Sequence, residues 1–137
     1  MNGNSYVYFE LTGDHLEPQI ITDKLGIDPT EFFRKGDKGK YNPNLECGCW
    51  KLSTDKGAES LMIENLVEEI VSKLFDKIEL INELKNQYCL NSVLEIVLFI
   101  DTNEEKPTPI IGHSLKTIEF LHLTQTKTDI DIYRFSS

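Results

Sequence analysis

Val93-Leu94-Glu95-Ile96-Val97-Leu98-Phe99-Ile100 is nearly continuous apolar sequence, the pattern of a strand covered on both faces or lying centrally in a sheet. Upstream of it, Ile63, Val67, Ile70, Leu74, Ile78 and Ile81 recur at steps of three and four, and Leu66, Val71 and Phe75 widen the same face. Glu64, Glu68, Lys73, Asp76 and Lys77 occupy the other side, so the spacing predicts one long amphipathic helix, or two consecutive helices broken near residues 76–79. Downstream, a turn-rich loop over 101–109 holds two prolines. Leu115, Ile118, Phe120 and Leu121 then predict a helix over 114–123, with Ser114 or His113 at its start. The alternation of 128–135 closes the chain as a further strand.

The N-terminal half repeats this alternation of strand and helix. Residues 5–12 (Ser-Tyr-Val-Tyr-Phe-Glu-Leu-Thr) are rich in aromatic and β-branched types and end at Gly13-Asp14, which reads as a strand and a turn. Leu16, Ile20, Ile21 and Leu25 fall at helical spacing, with Asp14 placed as the N-cap, Pro18 tolerated in the first turn and Gly26 as the stop. Residues 28–46 read as a long loop containing Arg34, Lys35, Lys38 and Lys40, and Cys49 to Ser53 as a short strand whose Trp50 contributes heavily to a core if turned inward.

Residues 1–137 are therefore expected to form a single α+β domain, ferredoxin-like, in which two β-α-β units build a four-stranded, mostly antiparallel sheet backed by helices. A long helical connection separates the units, and the first and third strands are expected as the central pair. At 137 residues, 39% apolar and 27% charged, the composition is globular and one core is expected.

Charge and cysteine narrow the function classes. The net charge of −9 opposes binding to a phosphate backbone and favours a basic protein partner. Seven acids against two lysines fall between residues 59 and 84, so the acidity is concentrated on the long helical connection. The longest apolar run is too short to span a bilayer and the N-terminus does not resemble a secretory signal, which makes a cytoplasmic address the expectation, with no membrane partner. Cys47, Cys49 and Cys89 are odd in number, and no second cysteine or cysteine–histidine pair completes a tetrahedral set with Cys47 and Cys49. Reduced thiols, no metal and no cofactor are expected.

Leu25-Gly26-Ile27-Asp28-Pro29-Thr30, Arg34-Lys35-Gly36, Cys49-Trp50 and Asp129-Ile130-Asp131-Ile132-Tyr133 together resemble a bacterial family of small proteins catalogued as domain of unknown function 4279. The stretches span nearly the whole chain. The resemblance implies membership and no particular activity.

Candidate sites follow from side-chain chemistry. The cations Arg34, Lys35 and Lys38, on a loop with flexible glycines and next to the strand opened by Trp50, are the ligand-binding candidates for an anionic small molecule. Glu64, Glu68 and Glu69 are the partner-binding candidates on the acidic helix. Asp129 and Asp131 project from one face of the last strand, roughly 6.5–7 Å apart, and read as a solvated outer face or a guarded edge. Tyr6, Tyr8, Tyr133 and Phe135 cluster if the first and last strands pair, and then read as core. His15, His113 and His122 are scattered and assemble no nucleophile motif, so no catalytic residue is expected. The function expected is a non-enzymatic protein-binding module, immunity-like or antitoxin-like, with a sensor domain for an anionic small molecule as the alternative.

Overall fold

The computed structural model describes residues 4–38, 45–57 and 61–137. Its first strand, β1 (Tyr6–Gly13), alternates as its residues dictate: Val7, Phe9 and Leu11 are completely buried, while Tyr6, Tyr8, Glu10 and Thr12 face the other way, half-buried. Helix α1 (Pro18–Leu25) begins later than expected. A proline disfavours helical backbone in the residue before it, and Glu17 is accordingly extended (φ −106°, ψ 112°), so Asp14 stays in the turn and caps nothing. Gly26 ends the helix in the left-handed region (φ 68°), its N–H donating to the Thr22 carbonyl at 2.8 Å.

The expected loop over 28–46 contains a three-residue strand, β2 (Glu31–Phe33), which pairs antiparallel with β3 (Gly48–Ser53). Gly48 lies where β3 passes under the turn before α1. A Cβ there would stand 2.5 Å from the Leu16 carbonyl oxygen, which explains a glycine between Cys47 and Cys49. The amphipathic stretch is broken as the spacing suggests: α2 (Ile63–Leu74), a 3₁₀ turn (Phe75–Lys77), then α3 (Ile78–Tyr88). Strand β4 (Asn91–Asp101) follows, then α4 (Leu115–Thr124), whose N-cap Ser114 accepts from the Thr117 N–H at 3.2 Å, and last β5 (Lys127–Phe135).

The sheet order is β2-β3-β1-β4-β5, antiparallel throughout except for the parallel pair β4 and β5. The expected four strands become five because β2 is too short to leave a periodic signal in sequence. The first and third strands expected from sequence are β1 and β4, and they do pair. In a split β-α-β arrangement each crossover skips a strand; here β3 returns beside β1, antiparallel, and β5 lies directly beside β4. The pairing thus does not confirm a ferredoxin-like order. Helix α4 supplies the crossover that two parallel neighbours require.

All four helices feed one core. Ile21, Leu25, Ile63, Val67, Ile70, Leu74, Ile81, Leu84 and Phe120 meet Val7, Phe9, Leu11, Trp50, Leu52, Leu94, Ile96 and Leu98. These strand residues share one sheet face in the observed register, so the helices lie on that face. The opposite face, which carries Tyr6, Tyr8, Glu10, Lys51, Glu95, Val97 and Asp131, contributes nothing to this core. The apolar run of β4 is thus central in the sheet but backed by helices on one side.

Candidate functional site

Glu95 is the one charged residue inside that apolar run, and strand parity turns it, with Val93, Val97 and Phe99, to the sheet face left uncovered by helices among the described residues. Across the sheet it stands opposite Tyr8 of β1 and Asp129 of β5, while its neighbour Val97 stands opposite Tyr6 and Asp131. Diagonal neighbours on one face remain within reach of long side chains. Three strands therefore deliver Glu10, Glu95, Asp129 and Asp131 to one patch.

The patch strains Glu95 electrostatically. It is only 8% exposed, and among the described residues its Oε2 has no hydrogen-bond partner. Burial, then the charges of Asp131 and Asp129, the hydrogen bond to Asp131 and the charge of Glu10, push its carboxyl up to about 7. Nearby groups feel the same environment. Burial, followed by the charges of Glu10 and Glu95, holds the Tyr8 hydroxyl above its ordinary range, and burial with Glu10 does the same for the Cys49 thiol. Cys49 Sγ donates to Glu10 Oε1 at 3.3 Å.

Aromatic rings frame the carboxylates. Tyr6 and Tyr8 stack with centroids 6.3 Å apart, and Phe99 stacks on Tyr133 at 5.2 Å. The expected grouping of Tyr6 and Tyr8 with Tyr133 and Phe135 by direct pairing of the end strands does not occur, because β4 lies between β1 and β5. Nor are Tyr6, Tyr8 and Tyr133 core: the first two are half-buried on the uncovered face and Tyr133 is exposed. Lys51 Nζ lies 4.7 Å from the Tyr8 ring and Lys56 Nζ 4.6 Å from the Tyr6 ring, so this face already attracts cations to its π surfaces. Carboxylates set among electron-rich rings are suited to an ammonium or a guanidinium group.

The residues singled out in the sequence lie elsewhere. Arg34 Nε bonds Glu17 Oε1 at 3.1 Å and its guanidinium lies over the Phe32 ring, beside a cleft of about 190 Å³ lined by Pro18, Thr22, Asp28 and Phe32. Lys35 is 3.8 Å from Asp14, and Lys38 is exposed. Lys40 and Glu59 fall outside the described residues. Trp50 is completely buried, its Nε1 donating to Thr22 Oγ1 at 3.1 Å, and presents no surface to a ligand.

Glu68 and Glu69 are exposed on α2, whereas Glu64 is engaged within the fold. Its Oε2 accepts from the Ser114 N–H and the Thr117 hydroxyl, both at 2.8 Å, and Oε1 lies 3.3 Å from His113 Nδ1. The other ring nitrogen of His113 reaches Thr128 Oγ1 at 3.1 Å. Burial raises the Glu64 carboxyl, but these hydrogen bonds outweigh it and hold the group below its ordinary value. Glu64 and His113 thus tie α2 to the start of α4 and to β5.

Sequence reasoning passed over Glu95, although a lone acid in an apolar strand was the available signal. Its partners are brought by pairing between segments distant in the chain. Among the described residues no group of three or more His, Cys, Asp and Glu side chains is placed to hold a metal ion, and no helix is long and apolar enough to cross a membrane. No curated protein and no solved structure matches the chain. The family model for Domain of unknown function (DUF4279) matches residues 3–135 of the 137. With a match that runs from before β1 to the end of β5, the protein belongs to the Domain of unknown function (DUF4279) family.

Proposed function

We propose that this protein is a binding module that takes a lysine or arginine side chain of a basic protein partner on the uncovered face of its sheet. The observation that carries the reading is the buried Glu95 carboxyl, with one oxygen lacking a hydrogen-bond partner among the described residues and Asp131 beside it. A buried carboxyl crowded by like charge is costly, and an incoming cation relieves that cost while gaining charge-assisted hydrogen bonds. The overall charge of −9 adds long-range attraction for a basic partner. The basic loop favours an anionic ligand less, because Arg34 and Lys35 already face Glu17 and Asp14.

The test compares variants of equal charge change. A fluorescent hexalysine peptide is titrated at pH 8 and low salt against the native protein, Glu95→Gln, Asp131→Asn, and the exposed helix variants Glu68→Gln and Glu69→Gln. Loss of one charge-assisted contact, about 1.5–3 kcal/mol, weakens binding at least tenfold for Glu95→Gln and Asp131→Asn. The helix variants change it less than twofold. The reverse ranking returns the partner surface to α2, and equal effects of all four leave only a net-charge attraction.

A further inference from the structure

The helical layer stops short of the last strand. Ile96 and Leu98 on β4 are fully buried beneath it, yet their register partners on β5, Ile130 and Ile132, are 45% and 57% exposed. Strand β5 is also the end of the sheet, so among the described residues its outer edge meets no further strand. It is nine residues long, about 30 Å of backbone, against three residues for β2 at the opposite end. Natural edge strands are commonly guarded by an inward-pointing charge. Here the middle positions on the helix side are the two isoleucines, with Arg134 on that side only near the strand's end; the acids Asp129 and Asp131 point to the other face, where Lys127 Nζ lies 3.7 Å from Asp129. The N-terminal end of the strand is occupied by His113 against Thr128.

The geometry points to strand addition at the β5 edge by an extended segment of the partner in which lysine or arginine alternates with apolar residues, its cations beside Asp129 and Asp131 and its apolar side chains beside Ile130 and Ile132. This rests on the cation-binding reading and gives the partner a conformation and a pattern. Cross-strand neighbours share a face, so the period of two on β5 imposes a period of two on whatever pairs with it. A cation on the added strand starts two strands from Glu95, about 10 Å at the usual spacing. A long side chain covers most of that span over Asp131. A second copy of this chain fits worse, since antiparallel pairing of two β5 strands near their centres brings the acids of both copies together on one face.

The probe is the blocked peptide Lys-Val-Lys-Val-Lys-Val-Lys. Its controls are a peptide of the same composition with the lysines and valines in separate blocks, and a glutamate–valine alternating peptide. Affinity is read by fluorescence anisotropy and the contact surface by amide hydrogen exchange. The alternating basic peptide is expected to bind at least tenfold more tightly than either control and to slow exchange across 127–135. Ile132→Lys, at an exposed site, is expected to weaken it at least tenfold. If both basic peptides bind equally, β5 gains no protection and Asp131→Asn still weakens them, strand addition is overturned while cation binding stands. If neither basic peptide binds, both are overturned. Protection of β5 that appears without peptide and grows with protein concentration assigns the edge to a second copy and overturns the proposal.

Discussion

Replacing Glu95 by glutamine should stabilise the protein above neutral pH and leave it nearly unchanged below pH 4.5. The carboxyl moves from its ordinary 4.5 in the unfolded chain to about 7 in the folded protein. Folding therefore takes up a proton between those two values, and stability falls as pH rises through that window. Below 4.5 the contribution is fully present; above about 7 it is lost. A difference of about 2.5 pKa units at 1.36 kcal/mol each amounts to roughly 3 kcal/mol. Glu95 itself is 8% exposed, but Asp129 and Asp131 are exposed, so solvent screens their charges and this figure is an upper bound. The amide keeps the shape of the protonated acid and removes the charge that Asp129, Asp131 and Glu10 oppose. In urea titrations at pH 4, 6, 7 and 8, the variant should match the native protein at pH 4 and exceed it by up to about 3 kcal/mol at pH 8, up to about 10 °C in Tm for a domain of this size. Equal stabilities at pH 8, or a less stable variant, would refute the reasoning, because the ionised carboxyl would then be well accommodated. The same penalty is what a cation from a partner would relieve, so the stability experiment and the binding experiment probe one property of the uncovered face.

Two further changes test how the fold presents that face. Glu64→Ala removes the acceptor of the Ser114 N–H and the Thr117 hydroxyl and should cost about 2–3 kcal/mol by chemical denaturation at pH 7. That loss should shrink as pH falls through and below 4.5, since a carboxyl held below its ordinary value stabilises only while ionised; a cost under about 0.5 kcal/mol at pH 7 would deny Glu64 its role in tying α2 to the start of α4. Gly48→Ala places a Cβ 2.5 Å from the Leu16 carbonyl oxygen and should cost about 1–3 kcal/mol, whereas unchanged stability would mean that the turn before α1 yields freely.

Local periodicity made most elements legible. The break between α2 and α3, the stop at Gly26 and the Ser114 cap each depend on residues within a few positions of one another, and the structure places them where the spacing does. Three-residue β2 was not legible, because a pattern of period two needs more than three positions to stand out from a loop. The apolar run of β4 was open to two readings, covered on both faces or central. Lateral packing explains why it is apolar without full cover: Val97 lies opposite Tyr6, and Phe99 stacks on Tyr133. Of the candidate residues, Trp50 and Glu64 proved to be held within the fold, since burial and hydrogen-bond partners come from other elements.

The sequence by itself determined the alternation of strands and helices, the single acid within the apolar run 93–100, and the two acids at alternate positions of the last strand. Those are properties of neighbours along the chain, and the period of each element expresses them directly. Only the tertiary structure decided that the three acids meet. The parallel pairing of β4 with β5, made possible by the α4 crossover, brings Asp129 and Asp131 alongside Glu95, and the gathering of all four helices on one side leaves that meeting place on the uncovered face.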